Sequence, residues 1–265
     1  MPARRPLVLL GAAAGAAVAA AIGWTLAAGD EPARDLLPNL VAAAPGALDG
    51  RTAPGPRFYL GFASAAANLG AGPLVVVGRR ASRAEPEMQL RQRIDRTDGS
   101  VRVVPVDATL RYVRSPDHSH WHLLGFMRYE LRSTSGGTRL RDRKTGFCLG
   151  DRYRADSDLP GPDRAAFPDR CGKGAPRRLT IREGISVGWG DNYHPHLEGQ
   201  KLDVTDVPAG RYVLVHRVNP QRLLRESDYA DNVSSLALDL SWPRGRSAPP
   251  RVGVVARCQG TATCP

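Results

Sequence analysis

Short segments that are apolar, or in which apolar and polar side chains alternate, recur along most of the chain, with turn residues between them. They cover residues 57–65, 74–78, 88–95, 101–112, 121–132, 139–149, 200–207, 211–218 and 233–240. Alternation with a period of two places one face of a β-strand in a core and the other in solvent. No segment keeps a helical period for more than a turn or two. The pattern predicts an all-β fold, a β-sandwich with long loops, of which residues 150–180 form the longest.

The composition divides the chain into a leader, a linker with a possible edge strand, a main domain and a tail, over residues 1–29, 30–56, 57–242 and 243–265. In the leader, Arg4 and Arg5 precede an uncharged and mostly apolar run, which is typical of an export signal or an N-terminal anchor. Because this run is mainly Ala and Gly, we favour a signal cleaved near Ala27 or Ala28 over an uncleaved anchor. Either form predicts a secreted protein or one held on the outer face of the cell membrane.

The chain contains four cysteines, at positions 148, 171, 258 and 264. An even number in an exported protein predicts two disulfides. Pairing of sequence neighbours, Cys148 with Cys171 and Cys258 with Cys264, is the simplest of the three possible connectivities. A zinc site is less favoured, because the sequence has no C-x-x-C pair.

The net charge of +11 comes from arginines that are scattered along the chain rather than grouped in runs. No aromatic–basic motif typical of RNA binding accompanies them, so we do not expect a nucleic-acid partner. Only three lysines are present, Lys144, Lys173 and Lys201. A lysine is informative in such a chain, since an arginine cannot be deprotonated to act as a nucleophile.

Three histidines, half of the six in the chain, alternate at positions 118, 120 and 122. In an extended strand His118, His120 and His122 share one face, so three imidazoles can reach one point. An ideal strand would spread the outer two by roughly 13 Å, so the backbone must bend or the rings must lean inward. Three imidazoles suit a borderline transition metal, and we predict a metal site here. The alternative is a partly exposed row of histidines without a specific metal.

Several motifs, in order along the chain, resemble the catalytic domain of the lysyl oxidase family over roughly residues 57–240. The copper stretch of that family ends in H-x-H-aromatic-H, which residues 118–122 match. Its lysine before F-C-L-x-D is matched by Lys144 with residues 147–151. Its D-x-Y ahead of a D-[IV]-T-D-V strand is matched by residues 191–193 and 203–207. Further matches lie in residues 60–63, 68–70, 129–131, 210–212, 218–220 and 226–232.

The chain also departs from the family pattern. Vertebrate members carry further His and Cys before the copper histidines, where this chain has Ser115, Pro116 and Asp117. Their disulfide set is also larger than four cysteines allow. We therefore interpret the chain as a bacterial-type member and do not transfer a substrate preference to it.

The resemblance implies copper amine oxidase chemistry. His118, His120 and His122 would bind Cu²⁺, and Lys144 and Tyr193 would form the cofactor lysine tyrosylquinone. A quinone is an electrophile that no standard side chain supplies, and a lysine amine can add to its ring where an arginine cannot. The implied reaction converts a primary amine, peptidyl lysine or a small amine, to an aldehyde, uses O₂, and releases ammonia and hydrogen peroxide.

The reaction needs a base, and Asp191 is the first candidate because it precedes Tyr193 by two residues. His194 and His196 come next. Asp191 is equally compatible with a structural role in a turn, and the two histidines with solvated loop positions or a second metal-binding H-x-H.

Acidic and amide side chains cluster in residues 226–232 and offer the hard oxygen ligands that calcium prefers. The candidate ligands in this cluster are Glu226, Asp228, Asp231 and Asn232. The motif resembles a structural calcium site of the lysyl oxidase family, which implies that Asn39 and the carbonyl of Leu40 complete it. An ordinary turn rich in Asp and Asn is the alternative.

A function of another class is also compatible with these residues. A noncatalytic extracellular copper-binding β-sandwich would keep the histidines but would not need Lys144 together with Tyr193. Taken alone, that lysine fits a surface charge and that tyrosine a loop aromatic residue. The partners expected for an oxidase are an amine or a lysine-bearing protein and O₂, with a membrane only if the leader stays uncleaved.

Overall fold

The computed structural model describes residues 32–52, 55–115, 119–142, 144, 146–168 and 170–265. The predicted leader, residues 1–29, and one predicted metal ligand, His118, lie outside the described residues. Every described strand belongs to one compact unit, Ala33–Pro265. The described part contains no helix, which confirms the predicted all-β fold. It accordingly offers no helical segment with the length and apolar character to cross a membrane.

Eighteen strands form in the described residues. They are β1 (Asp35–Leu36), β2 (Leu40–Ala42), β3 (Gly46–Thr52), β4 (Phe58–Asn68), β5 (Leu74–Arg79), β6 (Glu87–Arg96), β7 (Val101–Arg114), β8 (Ser119–Leu124), β9 (Met127–Ser133), β10 (Thr138–Arg141), β11 (Gly146–Phe147), β12 (Tyr153–Arg154), β13 (Thr180–Ile185), β14 (Trp189–Tyr193), β15 (Lys201–Asp203), β16 (Gly210–Val218), β17 (Val233–Ser241) and β18 (Arg251–Cys258).

The strands pair into three antiparallel sheets. The first has seven strands in the order β11-β8-β7-β6-β5-β13, with β1 paired to β6. The second has five, in the order β10-β9-β16-β17-β18. The third has six, in the order β12-β14-β4-β15, with β2 and β3 also paired to β4. The candidate site draws on the first and third sheets, because β8 and β11 belong to one and β14 to the other.

Burial follows the sequence alternation closely in β6. Met88, Leu90 and Ile94 are buried, whereas Arg91 between them is exposed. Burial of each such Leu or Ile side chain contributes roughly 1.5–3 kcal/mol to stability. The inward rows of the three sheets meet in one apolar core, which holds the sheets together.

Aromatic side chains form a continuous series in this core that ends at Tyr193. The ring centroids of Phe62 and Tyr129 lie 4.7 Å apart, those of Tyr129 and Phe147 6.4 Å, and those of Phe147 and Tyr193 5.2 Å. The Tyr129 hydroxyl shares a 2.6 Å hydrogen bond with the hydroxyl of Ser64, so its polar end is satisfied. Tyr193 is thus held by packed rings rather than by a loop.

Several regions differ from the predicted elements. Residues 121–132, predicted as one strand, form β8 and β9, which belong to different sheets. Residues 139–149, also predicted as one strand, form β10 and β11, which again belong to different sheets. Residues 30–56, predicted mostly as a linker, carry β1, β2 and β3, which pair with β4 and β6. Residues 243–265, predicted as a tail, contain β18 at the edge of the second sheet. Its valines at 254 and 255 are 44% and 40% exposed, so they produce no alternating pattern.

Both predicted disulfides are present, Cys148–Cys171 and Cys258–Cys264. The first joins the end of β11 to the long loop that follows. The carbonyl of Cys171 accepts the backbone N–H of Trp121 in β8 at 2.9 Å. The disulfide therefore holds the loop against the strand that carries the predicted metal-binding motif.

Candidate active site

Two of the three predicted metal ligands face each other on β8. His120 and His122 occupy alternate positions, and Trp121 between them is fully buried. The Nε2 atoms of the two histidines lie 2.7 Å apart. Two nitrogens at right angles around one ion, with bonds of about 2.0 Å, would lie about 2.8 Å apart. The pair therefore has the spacing of adjacent ligands to a single ion, although the described residues contain no group of three possible ligands.

Gly146 in β11 allows His122 to take this position. A Cβ atom added at residue 146 would lie 2.6 Å from Cβ and 2.9 Å from Nδ1 of His122. Both distances are below van der Waals contact, so only glycine permits the two strands to approach this closely.

Tyr193 and Asp191 occupy alternate positions on β14, and both are buried. The Tyr193 hydroxyl lies 2.7 Å from Oδ2 of Asp191 and 3.0 Å from the carbonyl oxygen of Cys148, and donates toward both. Burial, together with the adjacent carboxyl, raises the pKa of the Tyr193 phenol well above its ordinary value. Burial also raises the pKa of Asp191 to about 7, opposed by the hydrogen bond from Tyr193 and the charge of Arg152.

Lys144 lies between β10 and β11 and extends over the phenol. Its Nζ is 4.8 Å from the ring centroid of Tyr193 and 5.1 Å from that of Phe147, and it donates to the Glu198 carbonyl at 3.3 Å. Burial lowers the pKa of the amine to about 8, although the charge of Asp191 opposes this shift. The lysine stem fits because residue 199 is glycine, where a Cβ would lie 3.2 Å from Cβ of Lys144.

A cavity of about 330 Å³ unites these groups. Its walls include five of the residues predicted from the sequence, His120, His122, Lys144, Asp191 and Tyr193. The imidazole pair, the amine, the phenol and the buried carboxyl therefore open to one space.

The two other candidate bases do not line this cavity. His194 and His196 are both exposed. The Nδ1 of His196 contacts the guanidinium of Arg51 instead. Of the three candidate bases, Asp191 alone is positioned beside the phenol.

Arg152 is a site residue that sequence reasoning missed. Its Nε lies 3.7 Å from Oδ1 of Asp191, and its guanidinium lies 3.4 Å from the sulfur of Cys148. The neighbouring Asp151 accepts the N–H groups of Ala166 and Ser186, each at 2.8 Å, and so fixes the loop around the site. The F-C-L-x-D motif indicated Asp151, but nothing in the spacing distinguishes Arg152 from the many other arginines.

The oxygen cluster predicted to bind calcium centres on Glu226, a buried carboxyl. Its Oε2 accepts the backbone N–H of Leu40 at 2.8 Å. Its Oε1 accepts the side-chain amides of Asn219 and Asn232 at 2.6 and 2.8 Å. Burial raises the pKa of Glu226 to about 7.

Three buried oxygens of this cluster have no hydrogen-bond partner within the described residues, namely Oδ1 of Asn39, Asp231 and Asn232. The other polar atoms of the Asn39–Asp231 pair are joined, since Nδ2 of Asn39 donates to Oδ2 of Asp231 at 2.9 Å. Asp228 stands apart from them: it is exposed and accepts the N–H of Ala230 at 2.8 Å. The structure thus groups four of the predicted side chains and leaves Asp228 in a turn.

Fold and site together define an all-β protein with two histidines, a lysine and a tyrosine around one cavity. A sequence model described as Lysyl oxidase matches residues 85–242. The protein-lysine 6-oxidase of Sus scrofa is 33% identical over 121 residues, which cover 44% of this chain and 42% of that protein. The protein-lysine 6-oxidase of Homo sapiens is 32% identical, with 44% and 25% covered. Lysyl oxidase homolog 2B of Danio rerio is 31% identical, with 44% and 14% covered.

The matched segment spans less than half the length of each of these relatives. The family model, in contrast, matches more than half of this chain. The chain belongs to the lysyl oxidase family.

Proposed function

We propose that this chain is an exported copper- and quinone-dependent amine oxidase. It converts primary amines, peptidyl lysine or small amines, to aldehydes with release of ammonia and hydrogen peroxide. One observation carries the proposal: the Lys144 amine lies 4.8 Å from the Tyr193 ring centroid, in the cavity that His120 and His122 also line. A noncatalytic copper-binding protein has no use for a half-buried lysine beside a buried tyrosine there, where each polar group gives up solvation.

His118, His120 and His122 would hold the copper, and Lys144 and Tyr193 would be joined as lysine tyrosylquinone. When bound, these groups would supply the oxidation of the amine and the transfer of its electrons to O₂. The residues fit both groups. Two imidazole nitrogens are already at ligand spacing, and the lysine amine lies over the ring to which it would be joined.

Lys144 has the properties of a nucleophile. Burial lowers the pKa of its amine to about 8. At about pH 8, about half of the amine is therefore neutral and carries the lone pair that addition to an electrophilic ring requires. A guanidinium at this position would stay protonated.

Asp191 has the properties of a proton acceptor. Because burial raises the pKa of its carboxyl to about 7, it can take up and release a proton near neutral pH. Its Oδ2 already accepts the hydroxyl hydrogen of Tyr193. It would accept the phenol proton as the cofactor forms, and later serve as the base that deprotonates the bound substrate.

The Glu226 cluster would hold a calcium ion with a structural role. The support is the set of three buried side-chain oxygens on Asn39, Asp231 and Asn232 that lack a partner within the described residues. Oxygens in that state are costly, and a hard cation satisfies them. The ion would join the N-terminal strand β2 to the segment before β17.

The site of action would be outside the cytosol, as the leader in residues 1–29 predicts. The substrate would be a primary amine or a lysine-bearing protein, with O₂ as the second substrate. We expect no nucleic-acid partner, and a membrane contact only through an uncleaved leader.

The experiment is amine-dependent hydrogen peroxide production by the copper-loaded full chain, with a panel of primary amines that includes a lysine peptide. Lys144→Arg and Tyr193→Phe should each remove the activity while copper binding persists. Lys201→Arg and Tyr59→Phe are matched controls, because Nζ of Lys201 lies 4.3 Å from the ring centroid of Tyr59, outside the cavity. Both controls should stay active. Full activity in either cavity variant would overturn the proposal.

A further inference from the structure

The wall of the cavity carries positive charge that the oxidation chemistry does not use. Arg170 and Lys173, here called the cation pair, line the same cavity as Tyr193, and both are exposed. Neither forms an ion pair with any other residue that the structure describes. The acidic side chain among the described lining residues, Asp191, is buried and lies 3.7 Å from the guanidinium of Arg152. Within the described residues, the cation pair therefore has no acidic partner.

The loop that carries the cation pair is fixed. Arg170 and Cys171 have positive φ angles of 51° and 56°, which residues other than glycine adopt only where the surroundings impose it. Cys171 is bonded to Cys148, and its carbonyl accepts the N–H of Trp121 at 2.9 Å. Just beyond the pair, the N–H of Gly174 donates to the Ser119 carbonyl at 2.7 Å. These anchors hold the two cations next to the start of β8.

Two cations at the cavity wall discriminate between amines by the charges that accompany the reacting group. Lysine or arginine residues beside a substrate lysine would meet like charge at the entrance of the cavity. Carboxylates beside the same lysine would meet two cations whose backbone is already held beside the cavity. The net charge of +11 also attracts acidic molecules over longer distances.

We propose that the cation pair makes this site selective for primary amines that carry carboxylates close to the amine. Two sources share this chemistry: a lysine flanked by acidic residues in a peptide, and a free ω-amino acid. The inference rests on the proposed function, because it specifies the substrate class of that site. The binding preference itself requires no turnover and can be measured separately.

The experiment measures binding of fluorescently labelled peptides to the metal-free full chain by anisotropy. Each peptide has one central lysine, flanked on both sides by two glutamates, two serines or two arginines. The glutamate peptide should bind about tenfold more tightly than the serine peptide at low salt, and the arginine peptide more weakly than both. The advantage should shrink at high salt, because the cation pair is exposed.

The double variant Arg170→Gln, Lys173→Gln should bind the glutamate and serine peptides within about twofold of each other. The matched control is Arg83→Gln, Arg91→Gln, which removes the same net charge from two exposed arginines outside the cavity. It should keep the preference. Loss of the preference in the control, or equal binding of the three peptides by the unaltered chain, would overturn the proposal.

Competition with ε-aminocaproate against the labelled glutamate peptide identifies the source. If ε-aminocaproate displaces the labelled peptide from the unaltered chain but not from the Arg170→Gln, Lys173→Gln double variant, the result supports the proposal and extends it to free amino acids. Displacement by acidic peptides alone supports it for peptidyl lysine. Oxidase activity without any acidic preference in binding would overturn this inference and leave the proposed function intact. A preference for acidic peptides without amine oxidation by the copper-loaded chain would support this inference and overturn the proposed function.

Discussion

Asp191→Asn should make the protein more stable at alkaline pH and almost inactive as an oxidase. The carboxyl is 1% exposed, and burial raises its pKa from 3.8 to about 7. The amide of asparagine has nearly the same shape and keeps an oxygen that can accept the Tyr193 hydroxyl, which lies 2.7 Å from Oδ2 in the unaltered chain. The substitution therefore removes an ionisable group with little change in packing.

The expected magnitude follows from proton linkage. A carboxyl with a higher pKa in the folded chain than in the unfolded chain keeps its proton in the fold, so the free energy of unfolding falls as pH rises between the two values. The difference between the two pKa values, 3.8 and about 7, corresponds to about 4 kcal/mol in the free energy of unfolding, at about 1.4 kcal/mol per pH unit. Below about pH 4 residue 191 is neutral in both proteins, and the effect vanishes. Relative to the unaltered chain, the variant should gain about 4 kcal/mol between about pH 4 and about pH 8.

The assay is urea unfolding of the metal-free full chain at a series of pH values. Asp206→Asn is the control, since it makes the same substitution at an exposed position outside the cavity. In the copper-loaded form, loss of a proton acceptor should lower the oxidase rate roughly 10²- to 10⁴-fold. If the difference in the free energy of unfolding between the two proteins does not change with pH, burial does not raise the pKa of Asp191 in the folded chain. Near-normal oxidase activity of the variant would refute its role as the base.

Three further changes test the surroundings of the site. Gly146→Ala should weaken copper binding roughly 10- to 100-fold in a competition titration, because the new Cβ displaces His122; unchanged affinity would contradict the close approach of β11 to β8. Removal of the Cys148–Cys171 disulfide by two serine substitutions should cost about 3 kcal/mol in urea unfolding. The shorter C-terminal disulfide should cost less, and the opposite ranking would contradict the account. Calcium should raise the melting temperature of the unaltered chain and not that of Glu226→Gln, whereas an equal rise in both would argue against the cluster as the site.

Strands with one buried face could be predicted, because burial of alternate residues leaves a local signature. β6, with Met88, Leu90 and Ile94 inward, is such a strand. β13 has no such signature. Its position depends on pairing with β5, where a Cβ at Gly184 would lie 2.3 Å from the Leu74 carbonyl oxygen. A contact between residues so far apart in sequence cannot be read from either segment alone.

The same distinction applies to the site. His120 and His122, like Asp191 and Tyr193, are two residues apart, so strand geometry alone predicts that each pair shares a face. Lys144 lies outside the regular strands, and only the family resemblance connected it with Tyr193. The cation pair could not be predicted, because a disulfide and a strained loop bring it to the cavity.

Peptide mass spectrometry of the full chain, with and without prior exposure to copper and O₂, shows whether Lys144 and Tyr193 become joined. We expect the peptides that contain these two residues to be recovered as one covalently joined species after copper exposure, and separately without it. The amine of Lys201 and the ring centroid of Tyr59 lie 4.3 Å apart, in a pocket whose described lining residues include no histidine. The peptides of these two residues should stay separate in both samples. Separate and unmodified Lys144 and Tyr193 peptides from protein that oxidises amines would contradict the account.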